Sequence, residues 1–344
     1  MFYGTNKLVF SPPLKGVIME LVLNTFGTSL NRDNEAFVVS NKKGRQRVPV
    51  DGVTSIQIGR GVQVTSDAVL LAIEHEIDVL FMDRGGMPEG RVWSPRYGSI
   101  STIRKGQIKF LADRAALQWI KQIVSEKISN QQALLLMMDG GDREALLMRD
   151  RVIYRLDRFR EKVEAADGSS VVECAPQLRG WEGAASKAYF DAYSAFLPED
   201  FRFSCRSQHP ALDPVNALLN YGYGILYGRI EGELIKTGID PYVGVLHRDN
   251  YNRPVLVYDV IERYRIWIDF VVAHLVCQRV VTDDLYSVQA DGSCWLEVLG
   301  RRVLIQSVND YLDEVVDIGG IARSRAVHIM LYCQRLAQKF KQYL

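Results

Sequence analysis

Pro95-Arg96-Tyr97-Gly98-Ser99-Ile100-Ser101-Thr102-Ile103-Arg104 divides this chain into two kinds of sequence. Its serines, glycine and arginines read as a linker. Before it the pattern is that of strands. Val17–Leu23 is an apolar run with β-branched residues, and Ala36–Ser40 and Arg47–Val50 flank the turn Asn41-Lys42-Lys43-Gly44, a hairpin signature. Thr54-Ser55-Ile56-Gln57-Ile58 alternates with period two, as a half-buried strand does. Thr65 and Ser66 are capping residues for a helix over Asp67–Glu76, with Val69, Leu70 and Ile73 on one face. Ile77–Met82 is a further strand, and Asp83-Arg84-Gly85-Gly86 turns the chain into another near Arg91–Trp93.

After the linker the period changes. Ile108, Leu111, Ala115, Gln118 and Trp119 recur at helical spacing. Helices are predicted over Ala145–Ala165, Glu182–Ala195, Pro214–Lys236, Tyr258–Val276 and Ser324–Phe340, with short strands at Cys294–Val298 and Arg302–Ile305. The expected fold is α+β: a small N-terminal β-rich domain (1–95), a linker (96–106) and a larger, mainly α-helical domain (107–344).

Composition narrows the class. The 344 residues are 47% apolar and 24% charged, ordinary values for a soluble protein with a substantial core. With 42 basic and 41 acidic side chains, any nucleic-acid binding must come from local patches. The five widely spaced cysteines include no C-x-x-C, which speaks against a disulfide framework and a zinc site and fits reduced thiols in the cytoplasm. No signal peptide is read at the N-terminus. Apolar runs such as Ala133–Met138 fall far short of the roughly 20 residues of a membrane span.

Three patches hold unusual polar residues. In Arg179-Gly180-Trp181-Glu182-Gly183-Ala184-Ala185-Ser186-Lys187, Glu182 is read as opening a helix of small residues. In Gly244-Val245-Leu246-His247-Arg248 a lone histidine ends an apolar segment. In Tyr258-Asp259-Val260-Ile261-Glu262-Arg263-Tyr264-Arg265, Asp259 and Glu262 are spaced for one helix face, with Asp269 on the same side. Carboxylates with one imidazole suit Mg²⁺ or Mn²⁺ better than zinc, and such an ion suits phosphoryl transfer. Each patch also has a plain reading: a solvated glutamate, a structural histidine, a lattice of surface ion pairs.

Taken in order, Gly59-Arg60-Gly61-Val62-Gln63-Val64-Thr65, Ile77-Asp78-Val79-Leu80-Phe81-Met82-Asp83, Gly180-Trp181-Glu182-Gly183-Ala184-Ala185, Asp213-Pro214-Val215-Asn216-Ala217-Leu218-Leu219-Asn220-Tyr221-Gly222-Tyr223, Gly244 to His247 and Pro254-Val255-Leu256-Val257-Tyr258-Asp259 into Glu262 resemble the CRISPR spacer-acquisition integrase family, from about residue 17 to 270. The resemblance implies a homodimer built partly through the β-rich domain, a small partner adaptation protein bridging two dimers, and double-stranded DNA as prespacer and repeat. It carries the metal ligands to Glu182, His247 and Glu262, and a further acidic position to Asp259. Asn216 and Tyr189 match supporting polar positions, whereas Trp181 stands where the family is commonly smaller. The reaction implied is attack of a free DNA 3′-hydroxyl on a phosphodiester at a repeat end, or hydrolysis when water replaces it, with Mg²⁺ or Mn²⁺. Asp259 is expected to hold a metal-bound water or a second ion.

Candidate phosphate contacts are Lys187, Arg248, Arg263 and Arg265, with a second stripe at Arg149, Arg151, Arg155, Arg158 and Arg160 and a basic tail at Arg335, Lys339 and Lys341. Asp283, Asp284 and Asp291 read as turn residues. Two rivals stay open: a catalytically inactive DNA-binding scaffold of the adaptation complex, and a stand-alone nuclease that cuts branched DNA in repair.

Overall fold

The computed structural model describes residues 19–83, 88–92, 101–138, 141–247 and 253–343. They fall into two compact units: residues to Asp83 with those from Glu89 form the first, and residues from Ser101 onward lie in the second. The architecture is mixed, strand-rich first and helical after.

The first unit contains β1 (Met19–Leu23), β2 (Ser29–Arg32), β3 (Ala36–Asn41), β4 (Gly44–Pro49), β5 (Val53–Ile58), β6 (Gln63–Val64), α1 (Ser66–Glu74), β7 (Asp78–Met82) and β8 (Pro88–Arg91). One sheet has the order β1-β5-β7-β8 and the other β4-β3-β2-β6. The expected hairpin forms as β3 and β4, antiparallel, with Asn41 opposite Gly44. Asn41 Oδ1 accepts the Lys43 N–H at 2.8 Å, and Gly44 takes a positive φ of 145° that a side chain would resist.

Strand β5 departs from its expected half-burial. Ser55 and Gln57 are buried along with Ile56 and Ile58. The strand runs parallel to both β1 and β7, and strands in that position are covered on both faces. The Gln57 amide is satisfied there by Glu20, at 3.2 Å. Helix α1 begins where expected, its Ala68 N–H held by Thr65 Oγ1 at 3.4 Å. Its buried face, however, is Ala68, Leu71 and Ala72, while Leu70 is 51% exposed. The alanines allow the close approach to β2 and β7 that a face of larger residues would prevent.

The second unit is built from α2 (Ser101–Leu111), α3 (Arg114–Met137), α4 (Arg143–Ala165), α5 (Val171–Ala195), α6 (Pro214–Lys236), α7 (Val255–Ile261), α8 (Arg265–Cys277), β9 (Tyr286–Val288), β10 (Cys294–Leu296), α9 (Val298–Asp313), β11 (Val315–Ile318), β12 (Ile321–Ser324) and α10 (Arg325–Lys341). Helix α2 starts at Ser101, inside the stretch read as linker 96–106. The stripe from Ile108 to Trp119 is not continuous. Asp113 caps a new helix by accepting the Ala115 N–H at 2.7 Å, and Ile108 points outward while Ile103, Gly106, Gln107 and Phe110 face the core.

Glu182 stands in the middle of α5 rather than at its start, because the helix runs through Pro176 from Val171. The single helix expected over Tyr258–Val276 is two, α7 and α8, separated at Glu262–Tyr264. Arg302–Ile305, read as a strand, is part of α9, where Leu304, Ile305, Val308 and Leu312 recur at helical spacing and are buried. Helix α6 matches its expected span and is buried on all sides, packed by α7, α8, α9 and α10. Asp283 and Asp284 lie in a short 3-10 turn, and Asp291 accepts the Ser293 N–H at 2.9 Å in another. Among the described residues no helix is long and apolar enough to cross a membrane.

At Gly106, α2 and α10 approach closely. A Cβ there would sit 1.9 Å from the Phe340 carbonyl oxygen of α10. Gly106→Ala is therefore expected to force α2 and α10 apart and cost about 1–3 kcal/mol. A lowered denaturant midpoint at unchanged slope checks it.

Candidate active site

One cleft of about 480 Å³ gathers side chains from several places in the second unit, among them Lys127 from α3, Glu182, Ser186 and Lys187 from α5, His247 from the segment before α7, Glu262 from the end of α7, and Arg265 and Asp269 from α8. The three ligands expected from sequence thus face one another. The break between α7 and α8 makes this possible, since Glu262 caps α7 and turns into the cleft between Lys127 and Arg265.

His247 is held from behind. Asp259 is wholly buried, and its Oδ1 lies 2.7 Å from His247 Nδ1. The same carboxylate accepts the backbone N–H groups of Val245 at 2.6 Å, Leu246 at 3.2 Å and His247 at 3.2 Å. With Nδ1–H donated to Asp259, the ring presents Nε2 to the cleft. The Asp259 oxygens thus face the imidazole and the loop amides, where the sequence reading expects a metal-bound water or a second ion. They are committed inward, and the work of Asp259 is to orient the imidazole. Burial works against the His247 imidazolium, but the bond to Asp259 and the charges of Asp259, Glu262 and Glu182 raise its pKa above the ordinary histidine value.

The loop carrying His247 depends on Gly244. A Cβ at that position would come within 2.7 Å of both the His247 carbonyl oxygen and Val255 Cγ2. Arg179 of α5 fixes the loop from the other side, donating to the Leu246 carbonyl at 3.2 Å. Gly244→Ala is expected to move His247 while leaving the helices formed. A displaced His247 imidazole resonance in the NMR spectrum, with an unchanged circular dichroism spectrum, checks it.

Lys127 was not foreseen. The residue is 7% exposed, and its ammonium bonds Glu182 Oε1 and lies 2.5 Å from Glu262 Oε2. Ser186 Oγ also donates to Glu182 Oε1, at 3.2 Å. Burial disfavours the charge on Lys127, yet Glu182 and Glu262 outweigh it and raise the pKa above the usual lysine range. Burial likewise opposes ionisation of Glu262, but Arg265 and Lys127 pull its pKa down to about 2. Its sequence position held a signal. Ile120, Val124, Lys127 and Gln131 form one buried stripe of α3, and a lysine in such a stripe requires a carboxylate opposite.

The donor set suits a hard divalent cation: two carboxylates and one imidazole nitrogen. Glu262 Oε2 is buried, and its neighbour is the Lys127 ammonium at 2.5 Å. As placed, no three His, Cys, Asp or Glu side chains among the described residues close tightly enough to hold a metal ion. The cation between the carboxylates is the Lys127 ammonium. The residues fit the ion in chemistry, with a resident positive charge in its place.

The remaining candidates divide. Lys187 is exposed at the cleft and pairs with Asp191 at 3.1 Å. Arg265 pairs with Glu262 at 2.8 Å and lies over the Tyr223 ring at 4.7 Å. Arg263 points elsewhere, to Glu126 at 2.8 Å and over Tyr332 at 4.4 Å. Arg248 lies outside the described residues. Arg149, Arg158 and Arg160 on α4 are paired with Asp150, Glu161 and Asp157. Asp269 accepts from Tyr223 and, at 2.9 Å, from Tyr189. Asn216 is a brace, donating to the Cys205 carbonyl at 3.0 Å and accepting from Arg206. Arg206 itself lines the cleft and was missed.

This fold, a strand-rich unit followed by a helical one, is shared with solved structures. A Cas1 protein from Thermotoga maritima is 20% identical, with a TM-score of 0.78 over 94% of this chain and 97% of that one. A casposase bound to an integration product is 21% identical, with a TM-score of 0.80 over 94% and 91%. Sequence is more specific. The profile of the family described as CRISPR associated protein Cas1 matches residues 21–310. The CRISPR-associated endonuclease Cas1 1 of Archaeoglobus fulgidus is 30% identical over 331 residues, 92% of this chain and 94% of its own. The CRISPR-associated endonuclease Cas1 2 of Rhodospirillum rubrum is 33% identical over 277 residues, 77% and 78%. The chain belongs to the Cas1 family.

Proposed function

We propose that this chain is a divalent-metal-dependent DNA endonuclease and integrase that inserts short DNA fragments as spacers at a CRISPR repeat. The observation that carries the reading is the convergence of Glu182, Glu262 and the buttressed His247 on one cleft. The names of its relatives as endonucleases support it.

In this reading the oxygen of a DNA 3′-hydroxyl forms a bond to a repeat phosphorus, and the bond from that phosphorus to its original 3′-oxygen breaks. One ester replaces another, so the reverse reaction runs at the same site. Glu182, His247 and Glu262 would hold Mg²⁺ or Mn²⁺, which supplies Lewis-acid polarisation and charge neutralisation when bound. Asp259 keeps the imidazole in one tautomer and one orientation. Lys187 and Arg265 place positive charge around the cleft where phosphates would enter. Arg248, adjoining His247 in sequence, is assigned the same role. The first unit serves homodimerisation, the second catalysis, and a small adaptation protein joins two dimers on double-stranded DNA. The protein works in the cytoplasm.

The test is joining of a labelled short duplex to a plasmid carrying the cognate repeat, with Mg²⁺ or Mn²⁺ and the small partner protein. Wild type should join DNA, chelation should stop it, and His247→Ala should bind DNA without joining it. Binding without joining or cutting by wild type in either metal leaves the scaffold reading instead.

A further inference from the structure

We infer that Lys127 is a built-in counter-cation that holds Glu182 and Glu262 together before metal binds and that the metal must displace. The inference rests on the metal-site reading above and adds a residue that reading does not contain. Three observations carry it. The Lys127 ammonium contacts both carboxylates at once, and they come from elements far apart in sequence, α5 and the end of α7. It arrives from a third element, α3, along a buried stripe, and the residue is only 7% exposed. It lies 2.5 Å from Glu262 Oε2, a buried oxygen with no other partner among the described residues.

Two buried carboxylates brought together without a cation repel each other, and each resists leaving water. Lys127 removes both difficulties and lets the cleft close as a folded unit. The cost falls on metal binding, because a divalent ion and an ammonium cannot share the same oxygens. Ion and lysine are therefore coupled in opposition, and coupling is reciprocal: removing the lysine tightens the metal by the factor by which the metal weakens the lysine contact. Once displaced, the ammonium moves to the open side of the cleft, toward the space a DNA phosphate would take.

Lys127→Gln tests this on the full chain, with Mn²⁺ as the probe and calorimetry and electron paramagnetic resonance as readouts. The variant should bind Mn²⁺ about tenfold more tightly than wild type. Its thermal midpoint should be lower in chelator and rise more on adding Mn²⁺. Equal or weaker Mn²⁺ binding overturns the inference. Glu182→Gln separates the two levels of the reading. If wild type binds Mn²⁺ and Glu182→Gln does not, the metal site stands and the Lys127→Gln affinity alone decides the lysine's role. If Mn²⁺ binds neither protein, or both alike, the metal-site reading fails and this inference with it. A second measurement needs no variant. Acetylation of Lys127 by a small amine-reactive ester, read by mass spectrometry, should be slow in chelator and at least about tenfold faster in Mn²⁺. An unchanged rate in a protein that binds Mn²⁺ through Glu182 contradicts displacement.

Discussion

Glu262→Gln is expected to lower DNA strand transfer by about 10³-fold or more while the helical unit stays folded. The substitution keeps the shape of the side chain and removes one charge from a cleft whose chemistry depends on charge. Its neighbours explain why the fold survives. Lys127 keeps its contact with Glu182, and Arg265 keeps the face of Tyr223 at 4.7 Å. Each still loses a buried partner, so unfolding free energy should drop by about 1–3 kcal/mol. Single-turnover joining assays beside denaturant titrations measure both effects. Joining within tenfold of wild type would show that Glu262 does not act at the reacting centre.

Asp259→Asn should produce the second-largest loss, through a residue that faces away from the cleft. The carboxylate accepts from three backbone N–H groups and from His247 Nδ1. An asparagine amide offers one acceptor oxygen and one NH₂, and the NH₂ must point at a donor. Either the loop Val245–His247 loses its anchor or the imidazole flips its tautomer. Mn²⁺ affinity should fall by about 10–100-fold. Stability should fall by about 1–3 kcal/mol, because a buried donor goes unsatisfied. A structural role without influence on the site would show the stability loss alone, with metal affinity intact.

Much of the fold is written locally in the chain. The β3–β4 hairpin follows from Asn41 and Gly44, the start of α1 from Thr65, and the span of α6 from Asp213 and Pro214. What local pattern hides is decided by packing. Arg302–Ile305 has strand-like residues, yet Leu304 and Ile305 join Val308 and Leu312 in one buried helical stripe. Pro176 and Gly180 weaken the helix signal before Glu182, and the burial of Cys174, Ala175 and Leu178 overrides it. The rotation of α1 is set by two alanines whose smallness, rather than hydrophobicity, selects the face.

The site divides along the same line. Glu182, His247 and Glu262 were legible because their surrounding motifs resemble a family, and the cleft brings them together. The inward role of Asp259 was not, because spacing on a helix says which face a carboxylate shares and not that three backbone amides arrive from a loop. Lys127 was invisible to motif reading, since it lies 55 residues from Glu182 and belongs to a helix with no unusual local sequence. Only the demand that a buried cation be matched could have pointed to it.

The most direct measurement is the anomalous difference map of a Mn²⁺-loaded crystal of the wild-type protein. The expected result is a peak where the carboxylates of Glu182 and Glu262 meet His247 Nε2, with Lys127 turned away from them. A protein that joins DNA in Mn²⁺ but carries its metal elsewhere, with Lys127 still between the two glutamates, would contradict the assignment of this cleft as the metal centre.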